Sequence, residues 1–80
     1  MPPTKVVLYS RPGCHLCDEA REVVLAERDR TPFDLEEVDI ETDDALLRDY
    51  GVRIPVVTIG GAEVFEYTVD AHAFADLVRA

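Results

Sequence analysis

Basic residues are scarce in this chain: eight lysines and arginines stand against seventeen aspartates and glutamates, a formal net charge of −9. No positive run is present to follow a phosphate backbone, so nucleic acid is not an expected partner. The acidity favours a highly soluble protein that meets basic or neutral surfaces most readily. Long apolar runs are missing as well. The opening "MPPTKVVLYS" has one lysine and a short apolar stretch before a polar turn. That fits neither a signal peptide nor a membrane span, so a cytoplasmic protein with no membrane partner is expected. With 80 residues the chain has room for one hydrophobic core, hence one domain over residues 1–80. Its 48% hydrophobic and 31% charged content is that of a folded protein.

Cysteine is nearly absent too, and both copies, Cys14 and Cys17, lie in "YSRPGCHLCDEA". The cytoplasm keeps thiols reduced, and a disulfide across two intervening residues closes too short a loop to restrict the unfolded chain much. A structural cross-link is therefore the weakest of three readings. A closed zinc site usually takes four ligands, and the further candidates His15 and His72 sit at no familiar spacing, so no metal site is expected within the chain. Redox chemistry is the third reading, and it depends on what surrounds the pair.

"KVVLYS" sets Val6, Val7 and Leu8 in a row, which predicts a central strand covered on both faces. "RPG" breaks it. From Cys14 to about Arg28 the residues Leu16, Ala20, Val23 and Val24 follow the helical period, predicting a first helix with those four on its apolar face. "TPFDLEEVDIE" alternates at Val38, Asp39, Ile40 and Glu41, predicting a half-exposed strand near a sheet edge, parallel to the first. "TDDALLRDYG" predicts a short second helix with Thr42 or Asp43 as N-cap and Gly51 as its C′ glycine. Two β-rich runs around Gly60-Gly61 predict an antiparallel hairpin. Asp70 then caps a last helix with Ala71, Phe74, Ala75 and Val78 on one face. The order is β-α-β-α-β-β-α, an α/β fold.

A C-x-x-C pair where a strand gives way to a helix is a much stronger redox signal than the spacing alone. With the helix beginning at or just before Cys14, both sulfurs fall on one face of its first turn, at a Cα separation that suits a disulfide. Unpaired N–H groups and partial positive charge at the helix N-terminus stabilise a thiolate, and Cys14 gains most. Cys14 is the candidate nucleophile and Cys17, deeper in the helix, the resolving thiol. Arg11 adds a fixed charge that favours the thiolate or binds a substrate carboxylate; a solvated turn arginine is the plain alternative. His15, once protonated, favours the thiolate and a more oxidising disulfide; a solvent-facing histidine is the plain alternative. Asp18, Glu19 and Glu22 suit the N-terminal turn by the dipole and oppose a second thiolate at Cys17.

"VVLYSRPGCHLC" resembles the first strand and active-site turn of glutaredoxins, in the thioredoxin-like superfamily, and "GVRIPVVTI" resembles their proline-bearing segment before the hairpin. "RPGCHLCDEAR" and "VDIETDDALLRDYGVRIPVV" look closest to a group of small bacterial glutaredoxin-like proteins, and the likeness covers nearly the whole chain. The resemblance implies a thioredoxin-like fold, a four-stranded mixed sheet in the order 2-1-3-4 with helices on both faces. It implies Cys14 as nucleophile, Cys17 as resolving cysteine, Arg11 as a glutathione-carboxylate contact and a cis bond between Ile54 and Pro55. Pro55 would then face Cys14, and Ile54 would offer backbone hydrogen bonds to an extended substrate. Two departures stand out. His15-Leu16 replaces the usual proline and tyrosine between the cysteines, and "YTVDA" stands where a glycine pair and an acid help bind glutathione, with Asp70 the acid that remains.

The expected function is thiol-disulfide exchange by a Cys14-Cys17 dithiol in a monomer without a resident cofactor, acting on protein or low-molecular-weight disulfides. The reductant is glutathione, as a co-substrate, or a thioredoxin-reductase-type enzyme. Two other classes stand beside this: a cysteine-ligated metal or iron-sulfur module shared between two chains, and a redox-inactive thioredoxin-fold adaptor that binds through the Ile54-Pro55 surface.

Overall fold

The computed structural model describes residues 4–80, so the first three residues of the stretch read against a signal peptide lie outside it. The elements are β1 (Lys5–Ser10), α1 (His15–Arg28), β2 (Asp34–Asp39), a 3-10 turn (Ile40–Thr42), α2 (Asp44–Tyr50), β3 (Val56–Ile59), β4 (Ala62–Glu66) and α3 (Ala71–Arg79). The sheet order is β2-β1-β3-β4, as the resemblance implied, with β1 parallel to β2, as read from the sequence, and antiparallel to β3. Among the described residues no helix is long and apolar enough to cross a membrane.

Side chains alternate across the sheet, so Val6 and Leu8 of β1 turn to one face and Val7 and Tyr9 to the other. The first face makes the core with Ala20 and Val24 of α1 and Phe74 and Val78 of α3. Phe74 is fully buried at its centre, with Phe33 edge-on at a centroid distance of 5.7 Å. On the second face Tyr9 stacks on Tyr50, the last residue of α2, at 4.3 Å. Helices thus lie on both faces, but α2 has only seven residues and leaves Val7 partly exposed.

Local side chains explain most boundaries. Asp43, not Thr42, caps α2, its Oδ1 accepting from the N–H of Ala45 at 2.7 Å and of Leu46 at 3.3 Å. Asp70 caps α3 by accepting from Ala73 N–H at 2.9 Å. Gly60 and Gly61 turn the hairpin at φ 60° and 88°, conformations that side chains rarely adopt.

Three expectations need correction. The buried stripe of α1 is Cys17, Ala20, Val24 and Glu27, so Leu16 faces solvent at 39% exposure. The reason is that Cys17 starts the stripe and Leu16 precedes it on the neighbouring face. Ile40 and Glu41 do not extend the strand: Asp39 Oδ1 accepts from Glu41 N–H at 2.9 Å and bends the chain into the 3-10 turn, with Ile40 buried. Gly51 is right-handed, at φ −53°, and is not a left-handed C′ residue. Arg53 does that work instead, its Nε and Nη2 donating to the Asp49 carbonyl at 3.1 and 2.8 Å at the end of α2. A Cβ on Gly51 would collide with the Leu47 carbonyl oxygen.

Glu27 closes the far end of α1. Though buried, its carboxylate accepts from Thr31 Oγ1 at 2.6 Å and from Arg79 Nε at 3.0 Å, joining α1 to α3. Phe74→Ala should cost about 3–5 kcal/mol of unfolding free energy and Asp70→Ala about 1 kcal/mol. Urea denaturation measures both; equal losses would contradict this placing of the core.

Candidate active site

β1 ends at Ser10, and the turn that follows passes through Gly13 at φ 76° before Cys14 caps α1. The cap is made by sulfur: Cys14 Sγ accepts from the backbone N–H of Cys17 at 3.2 Å. That N–H is one of the donors left free at any helix start, and it is aimed at the atom that must hold negative charge in a thiolate. Cys14 and Cys17 are joined by a disulfide, with a Cα separation of 5.2 Å. Cys17 is fully buried while Cys14 is partly exposed, so the two sulfurs differ in access as well as in position.

Other residues singled out in the sequence fall around this pair with different neighbours. Arg11 is half-exposed and its Nε pairs with Glu41 Oε2 at 3.8 Å. His15 is 88% exposed, its Nε2 facing Glu19 Oε2 one turn along at 3.2 Å. The Ile54-Pro55 bond is cis, with Pro55 buried. Pro55 accepts from the N–H of Tyr67 at 2.9 Å, while no backbone hydrogen bond outside the helices and strands involves Ile54 among the described residues. Tyr67 itself is left-handed, at φ 68°, which is rare for a residue with a side chain. His72 is exposed on α3.

Sequence reasoning missed a polar cluster beside the active-site turn. Glu37 of β2 accepts from Arg21 Nε at 2.8 and 3.0 Å, and Arg21 Nη2 also reaches it. Buried Ser10 donates to the same carboxylate at 2.9 Å, and Arg21 Nη1 reaches Asp18 at 2.8 Å. With Arg11, Gly13 and Asp39 these groups line a cavity of about 350 Å³. Arg21 and Glu37 are sixteen residues apart, so only the parallel pairing of β1 with β2 could have signalled the contact. Arg53, also unremarked, ties the segment before Pro55 to β4 through Glu63 at 2.7 Å and lies over the Tyr50 ring.

A model of the Glutaredoxin-like domain (DUF836) matches residues 5–79. The chain belongs to this glutaredoxin-like family. It is 30% identical to the uncharacterized protein Rv0508 of Mycobacterium tuberculosis over 81 residues, covering 94% of this chain and 84% of the relative. The solution structure of protein Ne2328 from Nitrosomonas europaea superposes with a TM-score of 0.81 at 30% identity, covering 98% of this chain and 94% of that one. A thioredoxin variant from Halobacterium salinarum shares the fold, with a TM-score of 0.72 at 24% identity and coverage of 98% and 74%. The glutaredoxin-like chain is thus a thioredoxin-fold protein with its cysteine pair at the head of α1.

The polar cluster gives this domain a pH signature. Hydrogen bonding from Arg21, and then from Ser10, holds the Glu37 carboxyl below its ordinary value, against a desolvation that pushes upward. A carboxyl lowered by folding contributes stability that is complete above its unfolded value and is lost as pH falls through the folded one. Arg21→Met removes the favourable partner and leaves the desolvation, so Glu37 should then favour its protonated form. Denaturant unfolding from about pH 7 to pH 3 should show the variant losing less stability on acidification than the parent. Parallel curves would contradict the assignment.

Proposed function

We propose that this glutaredoxin-like protein is a dithiol thiol-disulfide oxidoreductase. The observation that carries the reading is the sulfur cap: the partly exposed Cys14 Sγ receives the Cys17 N–H at the start of α1, and its disulfide partner lies buried one turn in. In the reduced protein the same N–H and the helix dipole favour a Cys14 thiolate.

The reaction then runs in two exchanges. The Cys14 thiolate attacks one sulfur of a substrate disulfide, and the other sulfur departs as a thiolate that takes a proton from solvent. Cys17 gives up its proton and attacks Cys14 Sγ, releasing the second substrate thiol and closing the Cys14–Cys17 disulfide. Two electrons have passed to the substrate, and a thiol reductant must return them. Burial of Cys17 delays any reaction of its own with outside disulfides, which leaves Cys14 to open the sequence. Ile54, cis to Pro55 and with its backbone unpaired in the loop, supports a role in holding an extended substrate by strand-like pairing. Arg11 and His15 have the charge to tune or bind, though each has an acidic partner, Glu41 and Glu19, that takes up part of it.

Reduction of insulin by the purified protein, with dithiothreitol as the reductant, tests the roles. Cys14→Ser should abolish the activity above the background of dithiothreitol, and pre-reduced Cys17→Ser mixed with insulin after the dithiothreitol is removed should accumulate a mixed disulfide visible by mass spectrometry. Full activity in Cys14→Ser would overturn the reading.

A further inference from the structure

Of the two exposed residues between the cysteines, His15 and Leu16, the second opens onto a groove. Leu16 starts a stripe of α1 that continues through Ala20 and Val23, and the segment after β4 faces it with Tyr67 and Val69. The space is about 130 Å³. That approaches the roughly 150 Å³ that holds a benzene ring in an engineered apolar cavity of another protein, so one aliphatic side chain fits. One wall of the groove adjoins the cysteine pair, since Leu16 precedes Cys17, and the other is tied to the cis-proline loop, where Tyr67 donates its N–H to the Pro55 carbonyl. Tyr67 is nearly half exposed and is held left-handed, a conformation that a glycine would adopt far more easily. Its ring area is therefore kept against a backbone preference.

The surroundings are acidic. Glu19 lines the groove with its carboxylate 3.2 Å from His15 Nε2, Glu22 is exposed on the next turn of α1, and Asp70, the cap of α3, follows on the other wall. The arginines nearest the cysteines are engaged elsewhere, Arg11 with Glu41 and Arg21 with Glu37 and Asp18. We propose that this groove is a specificity subsite, taking an apolar side chain from an extended, positively charged polypeptide segment beside its disulfide. This rests on the disulfide-exchange reading above. Charge complementarity selects the occupant: under a net charge of −9, with Glu22 exposed beside Glu19, a basic segment is drawn to this side of α1, whereas glutathione, a net anion, is not.

Four synthetic peptides test this, each with one cysteine carried as a mixed disulfide with thionitrobenzoate, whose release is coloured. They pair leucine or alanine beside the cysteine with lysine or glutamate flanks. Single-turnover reduction by the fully reduced protein at low salt should favour lysine over glutamate flanks by about tenfold. Glu19→Gln should lower that ratio. Leucine should be favoured over alanine by about tenfold in the apparent binding constant. Tyr67→Gly, which suits the left-handed backbone and so should fold, should erase most of the leucine preference. A wild type that releases no thionitrobenzoate from any peptide overturns the exchange reading and the groove with it. One that reduces all four alike, or releases thionitrobenzoate from its mixed disulfide with glutathione faster than from the lysine-leucine peptide, overturns the groove alone.

Discussion

The bond from the Cys17 N–H to Cys14 Sγ joins the chemistry of this protein to its fold. A helix start leaves backbone donors unpaired, and a cap residue must satisfy some of them. Here the cap atom is sulfur, so the group that ends the turn after β1 is also the group proposed to react. Everything upstream serves to place it. β1 is paired on both sides and buried through Val6, Leu8 and Ser10, so its end is fixed. Gly13 then lets the chain reverse at φ 76°. Downstream, the buried stripe that runs from Cys17 to Glu27 fixes the rotation of α1, and with it which cysteine is covered.

That rotation has a second consequence. Starting the stripe at Cys17 turns Leu16 outward, and the same geometry that buries Cys17 presents an apolar side chain between the two cysteines. The two sides of α1 then differ in character. One carries the Arg21, Glu37, Ser10 and Asp18 cluster, in which charges are paired and hydrogen-bonded. The other is the groove with Tyr67, apolar within and acidic at its edge. The proposed preference for a basic segment rests on that contrast and on the net charge of −9.

Much of this was legible in the sequence because it is written locally. The apolar run of β1, the Gly60-Gly61 turn, the Asp70 cap and the cysteine pair each act within a few residues, and each stands where the pattern put it. Where the reading went astray, a neighbouring polar side chain had overridden the pattern. Gly51 needed no left-handed turn because Arg53 reaches back to the Asp49 carbonyl, and Ile40 left the strand because Asp39 bent the chain beneath it. The Arg21–Glu37 contact and the Tyr9–Tyr50 stack join residues far apart in sequence and became visible only once the strands were paired. The cis bond before Pro55 came from resemblance, since composition and period say nothing about it.

The central claim is that capping by sulfur makes Cys14 the reactive thiolate. Alkylation of the fully reduced protein by iodoacetamide across a pH series, with the modified residue identified by mass spectrometry, tests it directly. The account predicts that Cys14 is modified first and that its rate profile has a midpoint below the ordinary cysteine value of about 8.5. A midpoint at or above that value, or modification of Cys17 ahead of Cys14, would contradict it.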